Sequence, residues 1–252
     1  GLFQLILSFF GVVSIFTLPG MNTAITRSAA KGKEGSYKQA VQLSLRWSIL
    51  GIVILLLISG YYFLQGEIKT GTIIGLASIF LPGIYGLRQW EWLLRGKLLL
   101  KQLQRWTIYK AAGVTLTCII IVILTRQLSW TLLIYLAAHS IFNIFWTSKI
   151  FSIVSDCIPD KETITYGLFL TKMNVISIIS NNVDKILVGT VVGVEELAVY
   201  AIALEIGLNA KGLVKNINYT LLPWFSKKTE FSTITTLKNY LFVLLIGGLL
   251  AI

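Results

Sequence analysis

Residues 43–64 read LSLRWSILGIVILLLISGYYFL, with Arg46 as the one charged side chain in the stretch. An apolar run of this length is the signature of a bilayer-spanning helix, which needs about 20 residues. Comparable runs lie at 2–24, 71–94, 108–125, 130–148, 164–190 and 197–222, and another begins at 239. Lipid offers no partner to a backbone N–H or C=O, so each run must satisfy its own ladder as a helix. The alternating segments of about ten residues that mark a membrane β-barrel do not occur.

Composition leads to the same place. The chain of 252 residues is 55% hydrophobic and 13% charged, whereas soluble domains run about 45–50% apolar and about 25% charged. So little polar surface cannot wrap a water-soluble globule. The expected fold class is an all-α integral membrane protein, a polytopic transmembrane helix bundle. A net charge of +11 would suggest nucleic acid in a soluble protein. Here it fits loops that meet anionic headgroups, so membrane lipid is the expected partner and nucleic acid is not.

The basic residues alternate between loops. Arg27, Lys31, Lys33 and Lys38 follow the first segment; Arg95, Lys97, Lys101 and Arg105 follow the third, with Lys110 just beyond. Lys149 and Lys161 flank the loop after the fifth, and Lys227, Lys228 and Lys238 follow the seventh. The intervening loops hold Lys69, Arg126 and the acidic pair Glu195 and Glu196. Short Lys/Arg-rich loops stay cytoplasmic, which orients the first segment inward. Trp90, Trp92, Trp106, Trp130, Trp146 and Trp224 fall near segment ends, where an interfacial aromatic belt is expected. The chain opens on Gly1, not Met, and closes inside an apolar run from Leu241 to Ile252. It reads as a piece of a longer protein.

Charged groups at membrane depth cost at least about 2.5–3.5 kcal/mol each and invite a functional reading. In the sixth segment Asn174, Ser177, Asn181, Asp184 and Lys185 share one helix face, with Lys172 a turn before. Ile176, Ile179, Val183 and Ile186 occupy the opposite face. In the seventh, Glu205, Asn209, Gly212 and Asn216 form a stripe beside Lys211 and Lys215. Two successive stripes suggest a polar internal cavity, although near helix ends such side chains also snorkel to an interface. Arg46, Arg88, Glu91, His139 and Asn143 are smaller signals of the same kind. His139 with Asn143 one turn on reads as a hydrogen-bonded packing pair before it reads as a catalytic one. No nucleophile–base set, paired catalytic carboxylates, phosphate-cradling glycine loop or metal-ligand spacing is present. Cys118 lies in an apolar run and Cys157 in a loop, so no disulfide framework or zinc site is expected.

The stretch Asn182-Val-Asp-Lys-Ile-Leu-Val-Gly-Thr-Val-Val-Gly-Val-Glu-Glu-Leu-Ala-Val-Tyr200, the later Leu222-Pro-Trp-Phe-Ser-Lys227 and the opening Gly20-Met-Asn-Thr-Ala-Ile-Thr-Arg27 resemble the polysaccharide biosynthesis, O-antigen-type flippase family. That family belongs to the multidrug/oligosaccharidyl-lipid/polysaccharide exporter superfamily. The resemblance implies two helical lobes around a central cavity. Residues 1–149 would supply first-lobe helices without the first, 150–163 the cytoplasmic linker, and 164–252 the start of the second lobe. It implies a non-enzymatic activity without a cofactor: turning a polyprenyl-diphosphate-linked oligosaccharide across the bacterial cytoplasmic membrane, with a proton or sodium gradient as coupling source. Other polysaccharide assembly proteins would be partners. Arg46, Arg88, Lys172, Lys211 and Lys215 are then candidates to meet diphosphate or acidic sugars. Asp184 and Glu205 are candidate counter-ions or coupling groups, with Asn181, Lys185 and Asn209 along the same path. A multidrug exporter of the superfamily, or a membrane-embedded acyltransferase using His139, are the alternatives.

Overall fold

The computed structural model describes residues 1–154, 160–205 and 207 of the chain, and every secondary-structure element among them is helical. The first apolar segment is not one rod. It forms α1 (Leu2–Val13), a 3-10 turn (Ser14–Thr17) and α2 (Gly20–Ala30), bent by 51°. The break is written in Leu18-Pro19. Leu18 takes a left-handed φ of 56°, and Pro19 has no N–H with which to continue the ladder. Next comes α3 (Ser36–Leu64), an unbroken 29-residue helix that begins well before the apolar run.

The third segment is broken as well. It comprises α4 (Ile68–Ser78), the short α5 (Leu81–Ile84) around Pro82, a 3-10 turn (Gly86–Gln89) and α6 (Trp90–Gly96), with a bend of 53°. Then come α7 (Leu100–Thr125), α8 (Leu128–Ile153) and α9 (Lys161–Leu187), which runs into a π turn over Val188–Val192. Asp160 caps α9 by accepting the Glu162 N–H at 3.1 Å, satisfying one of the free donors at a helix start. Gly193 turns the chain with φ 147°, and helical residues 194–205 follow. Four single helices are long and apolar enough to cross a membrane, and each bent pair adds one more. The described part of the chain thus holds up to six spans.

A broken span frees backbone carbonyls that lipid cannot satisfy, and α8 answers them. Ser140 Oγ donates to Phe80 O at 3.3 Å, Asn143 Nδ2 to Gly83 O and Ile84 O at 2.9 and 3.1 Å, and Thr147 Oγ1 to Leu87 O at 2.7 Å. These three side chains follow i, i+3 and i+7, one face of α8. Close approach at Gly83, where a Cβ would meet the Ser140 side chain, makes the contact possible.

α9 lies along the bent α1–α2 pair, and α2 and α9 cross closely. A Cβ on Gly20 would run into the α9 backbone at Thr171 and Gly167, and one on Gly167 would strike Met21. Small residues at a helix crossing let backbones approach as membrane bundles require, and here Gly20 N–H donates to Thr171 Oγ1 at 3.1 Å. Two apolar clusters fill the bundle. One gathers Phe10, Leu55, Ile74, Leu81 and Leu136; the other Met21, Tyr37, Trp90, Leu94 and Ile150.

The second cluster corrects the aromatic belt. Trp90, Trp106 and Trp146 are 0%, 5% and 7% exposed and belong to the core. Trp106 and Trp146 stack at 4.1 Å with their planes 13° apart, and Trp90 leans on both. Lys149 lies over the stacked pair at 5.3 and 5.4 Å, a favourable place for a cation. Only packing across three helices decides this, which segment position alone does not express. Trp130 does lie on the outside.

The loops read as sharing one side do meet. Lys33 pairs with Asp160 at 3.1 Å, Lys97 with Glu34 at 2.6 Å, and Arg27 with Glu162 at 3.9 Å. The hydrogen bond from Lys33 holds the Asp160 carboxyl below the usual carboxylate range.

Candidate functional site

Two polar regions result, and they are built differently. The first is interior. Glu91 opens α6 and is buried; its Oε2 accepts from Arg88 Nε at 2.9 Å and its Oε1 from Lys110 Nζ at 3.3 Å. Lys110 also donates to Asn143 Oδ1 at 2.8 Å, and Trp90 Nε1 donates to the same oxygen at 3.3 Å. The side chains of Lys110 and Glu91 are 8% and 6% exposed, that of Arg88 is 51%. Lys110 and Asn143 each stand ten residues from the basic end of their helix, about 15 Å at 1.5 Å per residue. The cluster therefore sits inside the bundle. Next to Arg88 the chain turns inward: Gln89 Nε2 donates to Ser44 Oγ at 2.5 Å. The 3-10 turn thus sends successive side chains to opposite sides.

The second region is the polar stripe of α9. The face packed on α1 and α2 carries Gly167, Thr171 and Gly189. Lys172, Asn174, Ser177 and Asn181 lie on the outside of the described structure, as do Ile176 and Val183. Within the stripe Asn181 Nδ2 donates to Ser177 Oγ at 3.5 Å and Lys185 Nζ to Asn181 O at 3.4 Å. Asp184 is half-buried. Tyr200 donates its hydroxyl to Asp184 Oδ2 at 2.7 Å, while Oδ1 is buried without a partner among the described residues. Glu205 is exposed. Arg46 stands on the outer face of α3 with Leu50, Val53 and Leu57, turned away from the packed stripe of Ser44, Ser48 and Leu55. Asn209, Lys211 and Lys215 lie outside the described residues, as does Cys157.

Among the expected path residues the structure brings Asn181 to Lys185 within α9, and it joins Arg88 to Glu91. It does not bring Arg46 to either group. Sequence reasoning counted Lys110 only among the basic residues that set orientation, and gave Glu91 little weight. Lys110 has no opposite charge one turn away on its own helix, and that lack was the available signal; Glu91 has Arg88 and Arg95 at that spacing. No group of His, Cys, Asp and Glu able to hold a metal occurs among the described residues.

Broken spans sealed by side-chain hydrogen bonds, with charge held inside, define a multi-pass α-helical membrane protein. Within that class, the chain belongs to the polysaccharide biosynthesis protein family, whose sequence signature matches residues 1–229. No curated protein and no solved structure matches it.

Proposed function

We propose that this chain is part of a flippase that turns a polyprenyl-diphosphate-linked oligosaccharide from the cytoplasmic to the outer leaflet of the bacterial cytoplasmic membrane. The observation that carries the reading is the cationic surplus of the Arg88–Glu91–Lys110 cluster, in a chain of a polysaccharide biosynthesis family. A diphosphate and its sugars must cross about 30 Å of hydrocarbon. A hydrated groove with fixed positive charge lowers that barrier while the prenyl tail stays in lipid.

On this reading the basic loop ends face the cytoplasm, residues 1–149 and 164–252 contribute to two lobes, and 150–163 joins them. Arg46, Arg88, Lys172, Lys211 and Lys215 meet the diphosphate or acidic sugars. Asp184 and Glu205 serve as counter-ions or couple a proton or sodium gradient, and Asn181, Lys185 and Asn209 line the polar path. The lobes rock to expose the path alternately to each side.

The test depletes the full-length protein in its host and asks in which leaflet labelled polyprenyl-diphosphate glycan accumulates. Build-up in the cytoplasmic leaflet with loss of surface polymer is expected. Normal arrival in the outer leaflet overturns the reading, and altered drug susceptibility with intact glycan would favour an exporter of small molecules.

A further inference from the structure

The interior cluster holds two cations against one carboxylate, and it holds them unequally. Lys110 is enclosed, with its ammonium committed to Glu91 Oε1 and Asn143 Oδ1. Its charge therefore cancels that of Glu91 at short range. Arg88 then carries the surplus, and it is the member whose side chain reaches the surface. An arginine that needed only neutralising would be served by Glu91 without a second buried cation. Burying Lys110 is costly unless its charge is used, and its effect is to keep the cluster positive.

The geometry also selects which part of Arg88 is available. Glu91 engages Nε, which leaves the two terminal nitrogens of the half-exposed guanidinium without a partner among the described residues. A planar fork of N–H donors matches the oxygens of a phosphate or diphosphate. The fork's base is fixed by a chain of contacts: Glu91 to Lys110, Lys110 to Asn143, and Asn143 to the carbonyls of Gly83 and Ile84. An arginine tethered this way loses little side-chain freedom when an anion arrives.

We propose that Glu91, Lys110 and Asn143 are positioning residues that hold Arg88 as a preset anion-binding fork for the diphosphate of the carrier lipid. The proposal rests on the flippase reading for its ligand and adds to it the machinery that aims the arginine. Glu91 touches no substrate; it acts through Arg88.

The experiment measures binding of inorganic pyrophosphate to the purified full-length protein, alongside transport of the lipid-linked oligosaccharide in vesicles. Glu91→Gln alone strands a buried ammonium and so confounds binding with folding; the decisive variant is Glu91→Gln with Lys110→Met. That pair removes both buried charges at nearly constant volume and leaves Arg88 in place. Loss of the hold should weaken pyrophosphate binding about 10-fold. KM for the lipid-linked substrate should rise by a similar factor with kcat kept, and Glu91→Asp should recover part of the loss. Arg88→Ala should abolish the pyrophosphate response. Wild-type pyrophosphate affinity in the folded double variant overturns the proposal, and so does a wild-type protein that binds no pyrophosphate. If pyrophosphate binding depends on Arg88 and Glu91 while the wild type moves no glycan, the fork stands and the flippase reading falls.

Discussion

The Arg88–Glu91–Lys110 cluster and the α9 stripe use the same chemistry, charged and amide side chains in apolar helices, yet they are finished differently. Inside the bundle every charge has a partner on another helix or turn, and Asn143 joins three elements at one point. Along α9 the polar groups bond within their own helix or to the next one, and most face outward. A cluster closed on itself stabilises its fold; a stripe left open is available to water or substrate. The difference predicts that mutation inside the cluster lowers stability along with anion binding, whereas mutation along the stripe lowers transport alone.

The sharpest break of that contrast is Lys110→Ala. It leaves the buried Glu91 with the half-exposed Arg88 as its remaining cation, and leaving buried polar groups short of a partner costs about 1–3 kcal/mol. Thermal unfolding of the detergent-purified protein should show a large drop, mostly recovered when Glu91→Gln is added. Gly20→Val tests whether α9 owes its place to its packed face. The new side chain meets α9 backbone that cannot yield, so a loss of about 1–3 kcal/mol is expected, with weakened protection of residues 161–187 in hydrogen exchange.

Tyr200→Phe removes the one hydrogen bond that Asp184 receives from a side chain among the described residues. A loss of about 1–2 kcal/mol is expected, and a smaller change in unfolding would mean that Asp184 has another partner. At Asn181, alanine should change stability by no more than about 0.5 kcal/mol while lowering transport. A fall in stability with transport intact would erase the distinction between the two regions.

The smallest effect belongs to the exposed Lys33–Asp160 pair. The folded-state pKa of Asp160 lies below its unfolded value. Its contribution is therefore present above the ordinary carboxylate range and is lost as pH falls through the lowered pKa. The difference in melting temperature between wild type and Asp160→Asn should be positive at about pH 7 and shrink toward about pH 3. A difference that grows on acidification contradicts the assignment.

Much of the fold was legible because the hydrocarbon layer imposes one rule on every residue it covers. Runs such as 108–125 and 130–148 fall inside α7 and α8, and residues of the basic loops meet at Lys33 with Asp160 and Lys97 with Glu34. Hydropathy is blind to a break that keeps its apolar character, so the bend at Leu18-Pro19 passed as continuous helix. It is equally blind to partners on different helices: Glu91 and Lys110 lie 19 positions apart. The stripe on α9 was visible because helical period displays it within one segment. Tryptophan was misread for a related reason, since the Trp106–Trp146 stack exists only once α7 and α8 lie side by side.

The row Ser140, Asn143 and Thr147 has a mechanical consequence. Together these side chains splint the fractured span from Phe80 to Leu87, as a rigid strip bound along a broken rod. Sliding that span one turn along α8 would strip the side-chain caps from the carbonyls of Gly83, Ile84 and Leu87 in a medium that offers no replacement. The span and its splint therefore travel as one piece, and any bending that lets cargo through must be taken up at other joints.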